Sequence, residues 1–170
     1  MAEIKVDHND IFVLLSLGAN VGNPRITLKN AVTKLIDSKI FKYPKVSSIY
    51  ETEPVGFKEQ PWFVNLSMSG YAQIPLNQLM QLLKSTEYLF GRIKREKWHE
   101  REIDIDILLY GDMIINEKRT IIPHPRMHER KFVLVPSAEI AGEVIHPVFN
   151  KTILELLEEC KDESIIRSSY

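Results

Sequence analysis

The sequence predicts an α+β fold with a ferredoxin-like βαββαβ core, in which helices pack on a mainly antiparallel sheet and extra elements follow at the C-terminal end. Residues 11–17 form an apolar run typical of a buried strand. Residues 103–110 alternate between apolar and polar side chains, as a strand with one buried face does. Between them, two segments with helical apolar spacing flank two strand-like segments. The order of strand, helix, strand, strand, helix, strand matches the βαββαβ plan.

The first strand, residues 11–17, leads into a glycine-containing turn at residues 18–22. This turn lacks the Gly-Lys-Ser/Thr ending of a P-loop, so we interpret it as structural. Asn23 can cap a helix there, with Pro24 at the first position, where the missing N–H costs nothing. The predicted buried face of this helix comprises Leu28, Ala31, Val32, Leu35 and Ile36.

Two strands and a second helix make up the middle of the chain. Residues 46–52 and 62–72 are predicted strands, joined by a loop at residues 53–61 that contains Pro and Gly. Pro75 opens the second helix and Gly91 ends it. The apolar face of this helix comprises Leu76, Leu79, Leu83 and Phe90.

A charged segment, residues 92–101, precedes the predicted strand at residues 103–110. Gly111 and Asp112 form a turn into residues 113–116, which are expected to complete a hairpin with that strand. Thr152 and Glu155 have the spacing of a capping box, which predicts a last short helix.

Length and composition limit the kind of protein this can be. The 170 residues are expected to form one domain, with residues 1–10 as a flexible N-terminal extension. The formal charge of −1, from 22 Lys and Arg against 23 Asp and Glu, argues against a nucleic-acid coat or a membrane-surface protein. No apolar run reaches the ~20 residues of a membrane span. Cys160 is the only cysteine, which excludes an intrachain disulfide. We expect a cytoplasmic protein that binds neither nucleic acid nor membranes.

Asp104 and Asp106 are the sharpest chemical feature of the sequence. Side chains two residues apart on a strand share a face, so these two carboxylates are expected to project together. They repel each other and need a cation, and Mg²⁺ accepts one or two carboxylates while binding water and phosphate oxygens. A solvated outer strand face is the alternative. The opposite, core-facing set is Ile103, Ile105, Ile107 and Leu109.

The segment that leads into this strand is strongly cationic. Beside paired carboxylates, such a segment is suited to a nucleotide polyphosphate, with metal on some oxygens and guanidinium groups on others. A solvated charged loop is the alternative. Trp98 could pack on a bound ring system or hold the loop to the core. The basic residues are Arg92, Lys94, Arg95, Lys97 and Arg101.

A second basic cluster lies within residues 122–132. His124 and His128 are four residues apart, as metal-binding histidines on a helix are, but Pro123 and Pro125 disfavour a regular helix, so metal ligation is rejected. Phosphate contact is the functional interpretation, and a structural turn is the alternative.

Five motifs lie between residues 15 and 134, within a likeness that runs from about residue 12 to about residue 160: LSLGANVGNP, SSIYETEPVG, QPWFVNL, GRIKREKWHEREIDIDILLYGD and IPHPRMHERKFVL. In these motifs the chain resembles the 6-hydroxymethyl-7,8-dihydropterin pyrophosphokinase family, folate-pathway enzymes that move a pyrophosphoryl group from ATP to a pterin alcohol. The fourth motif is the most specific, because it contains the spacing Arg-x-x-Asp-x-Asp. One departure is His99-Glu100, which stands where the family usually has Gly-Pro.

The resemblance implies a role for each matching residue. Asp104 and Asp106 match carboxylates that hold two Mg²⁺ ions against the ATP phosphates, and Arg92 and Arg101 match catalytic-loop arginines. On the ATP side the matching residues are Lys84, Glu87, Trp98, Arg119, His124 and Arg130, of which Trp98 would close over the site. On the pterin side they are the ring-sandwiching pair Phe63 and Phe132, the edge-reading Asn65, and the backbone contacts Thr52 and Val55.

The resemblance also implies the reaction and its partners. The pterin hydroxymethyl oxygen would attack the β-phosphorus of ATP, and AMP would leave. No general base is expected, and residues 92–101 are expected to close over the site and exclude water. The chain would act as a monomer or weak homodimer.

Two other functions remain compatible with the residues alone. A two-metal phosphodiesterase or nuclease would also use paired aspartates, with further ligands and a more basic surface. A non-catalytic ferredoxin-like module that binds a ligand or RNA would use Phe63 and Phe132 as stacking platforms.

Overall fold

The computed structural model describes residue 7 and residues 9–54, 59–93 and 99–169. The predicted flexible extension at residues 1–10 therefore lies mostly outside the described residues. Asp10, at its end, accepts hydrogen bonds from Lys42 Nζ at 2.8 Å and from Gln73 Nε2 at 2.9 Å.

The structure contains helices and a mainly antiparallel sheet, and the predicted α+β fold is confirmed. The elements are β1 (Ile11–Ala19), α1 (Pro24–Asp37), β2 (Phe41–Val46), β3 (Ile49–Thr52), β4 (Phe63–Ala72), α2 (Leu76–Leu89), β5 (Asp104–Tyr110), β6 (Ile115–Glu117), β7 (Thr120–Ile122), a 3₁₀ turn (Met127–Glu129), α3 (Lys131–Ala141), β8 (Ile145–His146), β9 (Lys151–Thr152), α4 (Ile153–Glu159) and β10 (Ile166–Ser169).

The central sheet has six strands within the described residues. Strands β3, β4, β1 and β5 lie side by side in that order, each antiparallel to its neighbour, while β2 also pairs with β4 and β10 extends the edge at β3.

Helices cover both faces of this sheet. Leucines of α1 and α2 pack on one face against the odd-numbered residues of β1, including Val13 and Leu15. Helices α3 and α4 pack on the other face, where Leu14 and Leu108 belong to a second apolar cluster. Near the end of β1 this second face is not apolar, because Ser16 and Gly18 follow Leu14 on the same side. That opening beside α3 is where the functional residues gather.

Two predicted helix caps are confirmed. The Asn23 side chain accepts a hydrogen bond from the backbone N–H of Ile26 at 3.2 Å, with Pro24 as the first residue of α1. Thr152 and Glu155 form both bonds of the capping box at the start of α4.

A β-bulge corrects the predicted orientation of Leu109. Leu15 pairs with Ile107, but Leu14 pairs with Leu109, so Leu108 is the extra residue on β5. A bulge shifts the inward and outward alternation by one residue. Leu109 therefore packs in the second cluster with Leu14, whereas Ile105 and Ile107 lie on the face expected for them.

Two element predictions are wrong, and one helix was not predicted. The predicted strand at residues 46–52 is interrupted at Ser47 and Ser48, so that only β3 lies wholly within it and Val46 is the last residue of β2. Strand β2 was not predicted, because its side chains are mostly exposed and show no apolar pattern. Residues 113–116 do not complete a hairpin with β5, since β6 pairs with β7 instead. Helix α3 was not predicted, because Pro136 stands inside it and the prolines before it suggested a turn.

No helix in the described part of the chain is long and apolar enough to cross a membrane.

Candidate active site

Strand pairing places the two aspartates, which lie on the edge strand β5, next to β1 and one strand away from β4. Gly18 on β1 lies between Asp104 on β5 and Asn65 on β4, and Ser16 pairs in the same way with Asp106. The alternation of β5 over residues 103–107 keeps its isoleucines in the core, so both carboxylates project to the face that carries α3. Ser16 and Gly18, whose side chains are small or absent, therefore lie between the predicted metal ligands on β5 and the predicted pterin-side strand β4.

A cavity of about 310 Å³ opens on this face. Its volume is at the lower end of that usual for small-molecule sites. Eight predicted site residues line it: Thr52, Phe63, Asn65, Arg101, Asp104, Asp106, Arg130 and Phe132. Arg126 lines it too, from the basic cluster for which phosphate contact was the functional interpretation. Four further lining residues were not predicted as ligand contacts: Ser16, Gly18, Glu53 and His99.

Asp104 is surrounded by guanidinium groups. Arg92 donates through Nη1 to Asp104 Oδ1, and Arg101 Nε lies 3.6 Å from Asp104 Oδ2. All three side chains are 20–30% exposed, so these ion pairs are not sealed in the core. Asp104 and Arg101 line the cavity, whereas Arg92 is not one of its lining residues. The arginines therefore sit where they could contact both this carboxylate and an anionic ligand next to it.

Asp106 lies in a different environment from Asp104. Burial and the neighbouring charge of Asp104 raise its pKa from 3.8 to about 6, although Lys84 acts in the opposite direction. Among the described residues, no third His, Cys, Asp or Glu joins the two aspartates into a closed metal site. Two carboxylates with open positions fit Mg²⁺, which takes its other ligands from water and phosphate oxygens.

Glu87 ties α2 to β5 beneath the aspartates. Only 2% of its side chain is exposed, and it accepts hydrogen bonds from Lys84 Nζ at 2.8 Å, Arg92 Nη1 at 2.9 Å and the backbone N–H of Ile105 at 2.8 Å. Burial raises its pKa despite these cations. Glu87 and Lys84 do not line the cavity. The hydrogen bonds of Glu87 are therefore suited to positioning Arg92 and the Ile105 backbone, rather than to direct contact with a ligand.

The predicted pterin-side residues form a connected wall. Asn65 is buried and donates through Nδ2 to Thr52 Oγ1 at 2.8 Å. A Cβ atom added to Gly18 would lie 2.7 Å from Asn65 Oδ1, closer than side chains tolerate. The glycine that we interpreted as structural therefore has a second role, because its missing side chain leaves space for the Asn65 carboxamide.

Phe63 and Phe132 reach the cavity from different elements. Phe63 is the first residue of β4, and Phe132 is in the first turn of α3. The Arg130 guanidinium carbon lies 5.7 Å from the centre of the Phe132 ring, which is within cation–π range. Two aromatic faces and a cation thus border the same cavity.

His124 and Arg119, two further predicted ATP-side residues, are also absent from the cavity lining. Burial and the charges of Arg130 and Arg126 lower the pKa of His124 to about 4, so its imidazole is neutral at pH 7. Its Nδ1 accepts a hydrogen bond from the backbone N–H of Arg126 at 3.2 Å. Arg119 is exposed in the turn between β6 and β7. Val55 and Trp98 lie outside the described residues.

Asn20 is a site-supporting residue that sequence reasoning missed. Its buried side chain accepts from the Arg101 backbone N–H at 2.7 Å and donates to Gln60 Oε1 at 3.1 Å and to the Pro61 carbonyl at 3.0 Å. Its own backbone N–H donates to the Arg101 carbonyl at 2.9 Å. The available signal was an asparagine inside a glycine turn, where polar side chains often bond to backbone groups.

A family model described as 7,8-dihydro-6-hydroxymethylpterin-pyrophosphokinase (HPPK) matches residues 14–142. This range contains both aspartates, both arginines and both cavity phenylalanines.

Curated relatives match over most of the chain. The 2-amino-4-hydroxy-6-hydroxymethyldihydropteridine pyrophosphokinase of Bacillus subtilis is 39% identical over 130 residues, which cover 76% of this chain and 78% of the relative. The protein of the same name from Aquifex aeolicus is 37% identical over 147 residues, covering 86% and 91%. The folic acid synthesis protein fol1 of Pneumocystis carinii is 37% identical over 164 residues, and the match covers 96% of this chain but only 22% of that protein.

Solved structures share the fold. Wild-type HPPK-DHPS of Plasmodium falciparum superposes with a TM-score of 0.69 at 16% identity, over 88% of this chain and 44% of that one.

Proposed function

This chain belongs to the 7,8-dihydro-6-hydroxymethylpterin-pyrophosphokinase family, and we propose that it transfers the pyrophosphoryl group of ATP to the hydroxymethyl group of 6-hydroxymethyl-7,8-dihydropterin, releasing AMP, in folate biosynthesis. The observation that carries this proposal is the single cavity-lining set that joins two carboxylates and Arg101 to an amide and two aromatic rings. A phosphate-handling half and a ring-binding half are what transfer between these two substrates requires.

In the phosphate-handling half, Asp104 and Asp106 would hold two Mg²⁺ ions, which offset negative charge on ATP oxygens when bound. Arg92 and Arg101 would stabilise charge on the transferring group, because both already lie against Asp104. Arg130 supplies a further cation at the cavity edge. The contribution of the protein is thus positioning and electrostatics, as is usual for phosphoryl transfer.

In the ring-binding half, Phe63 and Phe132 would hold the pterin between them, and Asn65 would contact its polar edge. The bond from Asn65 to Thr52 fixes the carboxamide orientation in advance, which lowers the ordering cost of binding. The hydroxymethyl group would then face the aspartates across Gly18, the shortest path between the two halves in the sheet.

The same proposal covers the wider properties of the protein. The chain spans about a fifth of the fungal relative and less than half of the Plasmodium chain, so its activity as a single pyrophosphokinase domain, residues 1–170, is itself part of the proposal. We propose a cytoplasmic location, supported by the lone Cys160, and a monomer or weak homodimer that binds neither nucleic acid nor membranes.

Incubation with ATP, Mg²⁺ and the pterin alcohol tests the proposal by following AMP. We expect AMP only when the pterin is present, and a pterin diphosphate in equal amount. Asp104→Asn should lower kcat by about 100-fold or more, whereas Asp112→Asn, at an exposed position just after β5, should leave it unchanged. AMP release without pterin would indicate a phosphohydrolase instead, and the absence of any AMP release would refute the proposal.

Phe132→Ala separates the ring-binding half from the phosphate-handling half. An aromatic contact contributes roughly 0.5–1.5 kcal/mol beyond burial. KM for the pterin should therefore rise more than KM for ATP. Equal increases in both would contradict the sandwich.

A further inference from the structure

A C-terminal segment, residues 162–166, runs between two walls of the cavity. At one end, the Lys131 backbone N–H, the first of α3, donates to Asp162 Oδ2 at 2.8 Å. At the other end, the Ile165 N–H donates to Glu53 Oε1 at 3.0 Å, and the Glu53 N–H donates to the Ile165 carbonyl at 3.3 Å. Ile166 then pairs with Thr52 as β10 begins. The segment lies C-terminal to the residues matched by the family model.

Asp162 supplies a helix cap that α3 lacks locally. The residue before α3, Arg130, makes no side-chain cap bond. Its carbonyl accepts from the N–H groups of Val133 and Leu134, but the Lys131 N–H, the first of the helix, needs an acceptor from elsewhere. Asp162 provides one with Oδ2 and turns its other oxygen to the Ser164 N–H at 2.9 Å. Burial opposes ionisation of Asp162, but these two N–H groups outweigh burial and lower its pKa. The negative charge at the start of α3 also suits the helix dipole.

The residues that this segment holds are cavity residues. Phe132 directly follows Lys131, and Thr52 and Glu53 lie on the opposite side of the same segment at the end of β3. The two walls belong to elements far apart in sequence, and residues 162–166 bond to both. Helix α3 and strand β3 are also joined directly, because Tyr50 donates a hydrogen bond to Glu139 at 2.9 Å. Residues 162–166 add a second link between them, at the end that carries Phe132 and Thr52.

We propose that Asp162 is a positioning residue for pterin binding, acting through the start of α3 on Phe132 while residues 165 and 166 hold β3. This inference rests on the proposed function above. It predicts a larger effect on the pterin than on ATP, because no hydrogen bond or ion pair in the described residues joins the segment to Asp104, Asp106, Arg92 or Arg101. A purely structural role would instead reduce stability without distinguishing the substrates.

Asp162→Ala tests the inference, with Glu155→Ala as a matched control. Glu155 also accepts a backbone N–H at a helix start, from Thr152 at 2.7 Å, but in α4, which does not line the cavity. Loss of one cap typically corresponds to about a fivefold change in an equilibrium constant. We expect Asp162→Ala to raise KM and Kd for the pterin about fivefold, with KM for ATP and kcat within about twofold of wild type. Glu155→Ala should lower Tm comparably without changing either KM.

Asp162→Asn keeps one acceptor oxygen, so it should give a smaller change in the same direction, and it decides the question if the alanine variant does not fold. Equal KM changes for both substrates, or a pterin Kd that matches that of Glu155→Ala, would overturn the inference. Failure of the wild-type chain to release AMP with pterin would refute the proposed function instead, so the two failures are distinguishable.

Discussion

Asp106→Asn should stabilise the metal-free fold while it abolishes turnover. The Asp106 pKa is raised from 3.8 to about 6, chiefly by burial and then by Asp104. The folded chain therefore binds more protons than the unfolded chain between these two values, and stability falls as the pH rises through this window. At 1.36 kcal/mol per pKa unit, a rise of about two units corresponds to about 3 kcal/mol lost above pH 6. Asn has nearly the same shape as the neutral acid, so the variant should recover most of this loss.

Urea unfolding of both proteins in a metal chelator, at pH 7.5 and pH 4, measures the effect. We expect the variant to be more stable by about 2–3 kcal/mol at pH 7.5 and nearly equal to wild type at pH 4. AMP release should fall in the same variant, because a candidate metal ligand is lost. Two results would refute the argument that burial disfavours the charged form of Asp106. One is a variant that is no more stable than wild type at pH 7.5, and the other is a variant that is stabilised equally at both pH values. Asp112→Asn is the control, since that side chain is exposed.

Two further perturbations address the support of the site. Gly18→Ala places a Cβ 2.7 Å from Asn65 Oδ1, so it should displace the Asn65 carboxamide and lower the free energy of unfolding by about 1–3 kcal/mol. The KM for the pterin should rise more than the KM for ATP. An unchanged KM for the pterin would count against the role of Asn65. Asn20→Ala removes three side-chain hydrogen bonds, so urea unfolding should show a loss of about 2–4 kcal/mol, and kcat should fall because Arg101 loses its backbone anchor. A fall in stability with unchanged kcat would separate Asn20 from Arg101 function.

Local pattern determined the parts of the site that lie within one strand. The alternation from Ile103 to Ile107 was sufficient to place Asp104 and Asp106 together on one face, because side-chain direction in a strand depends only on residue parity. It failed at Leu109, where the bulge opposite Leu14 and Leu15 changes that parity, and a bulge is set by the partner strand. The same limit explains β6, which was assigned to the wrong partner.

Sequence spacing did not reveal which residues act by positioning other site residues. Glu87 was expected to line the ATP side, but it is buried under β5 and bonds to Lys84, Arg92 and the Ile105 backbone. Its surroundings come from a helix and a strand separated by the charged loop, and their contact is decided by core packing. Asn20 and Gly18 are further cases, because their importance depends on Arg101 and Asn65, which are brought to them by the sheet.

The sequence by itself determined the βαββαβ order, two helix caps, the carboxylate pair and the family resemblance, since each of these depends on residues close together in the chain or on motifs read directly. The tertiary structure alone decided which residues share the cavity, how far Asn65 stands from Gly18, and that Asp162 caps a helix 31 residues earlier. The physical reason is that hydrogen bonds and packing between distant segments depend on the register and docking of whole elements, which no local pattern encodes.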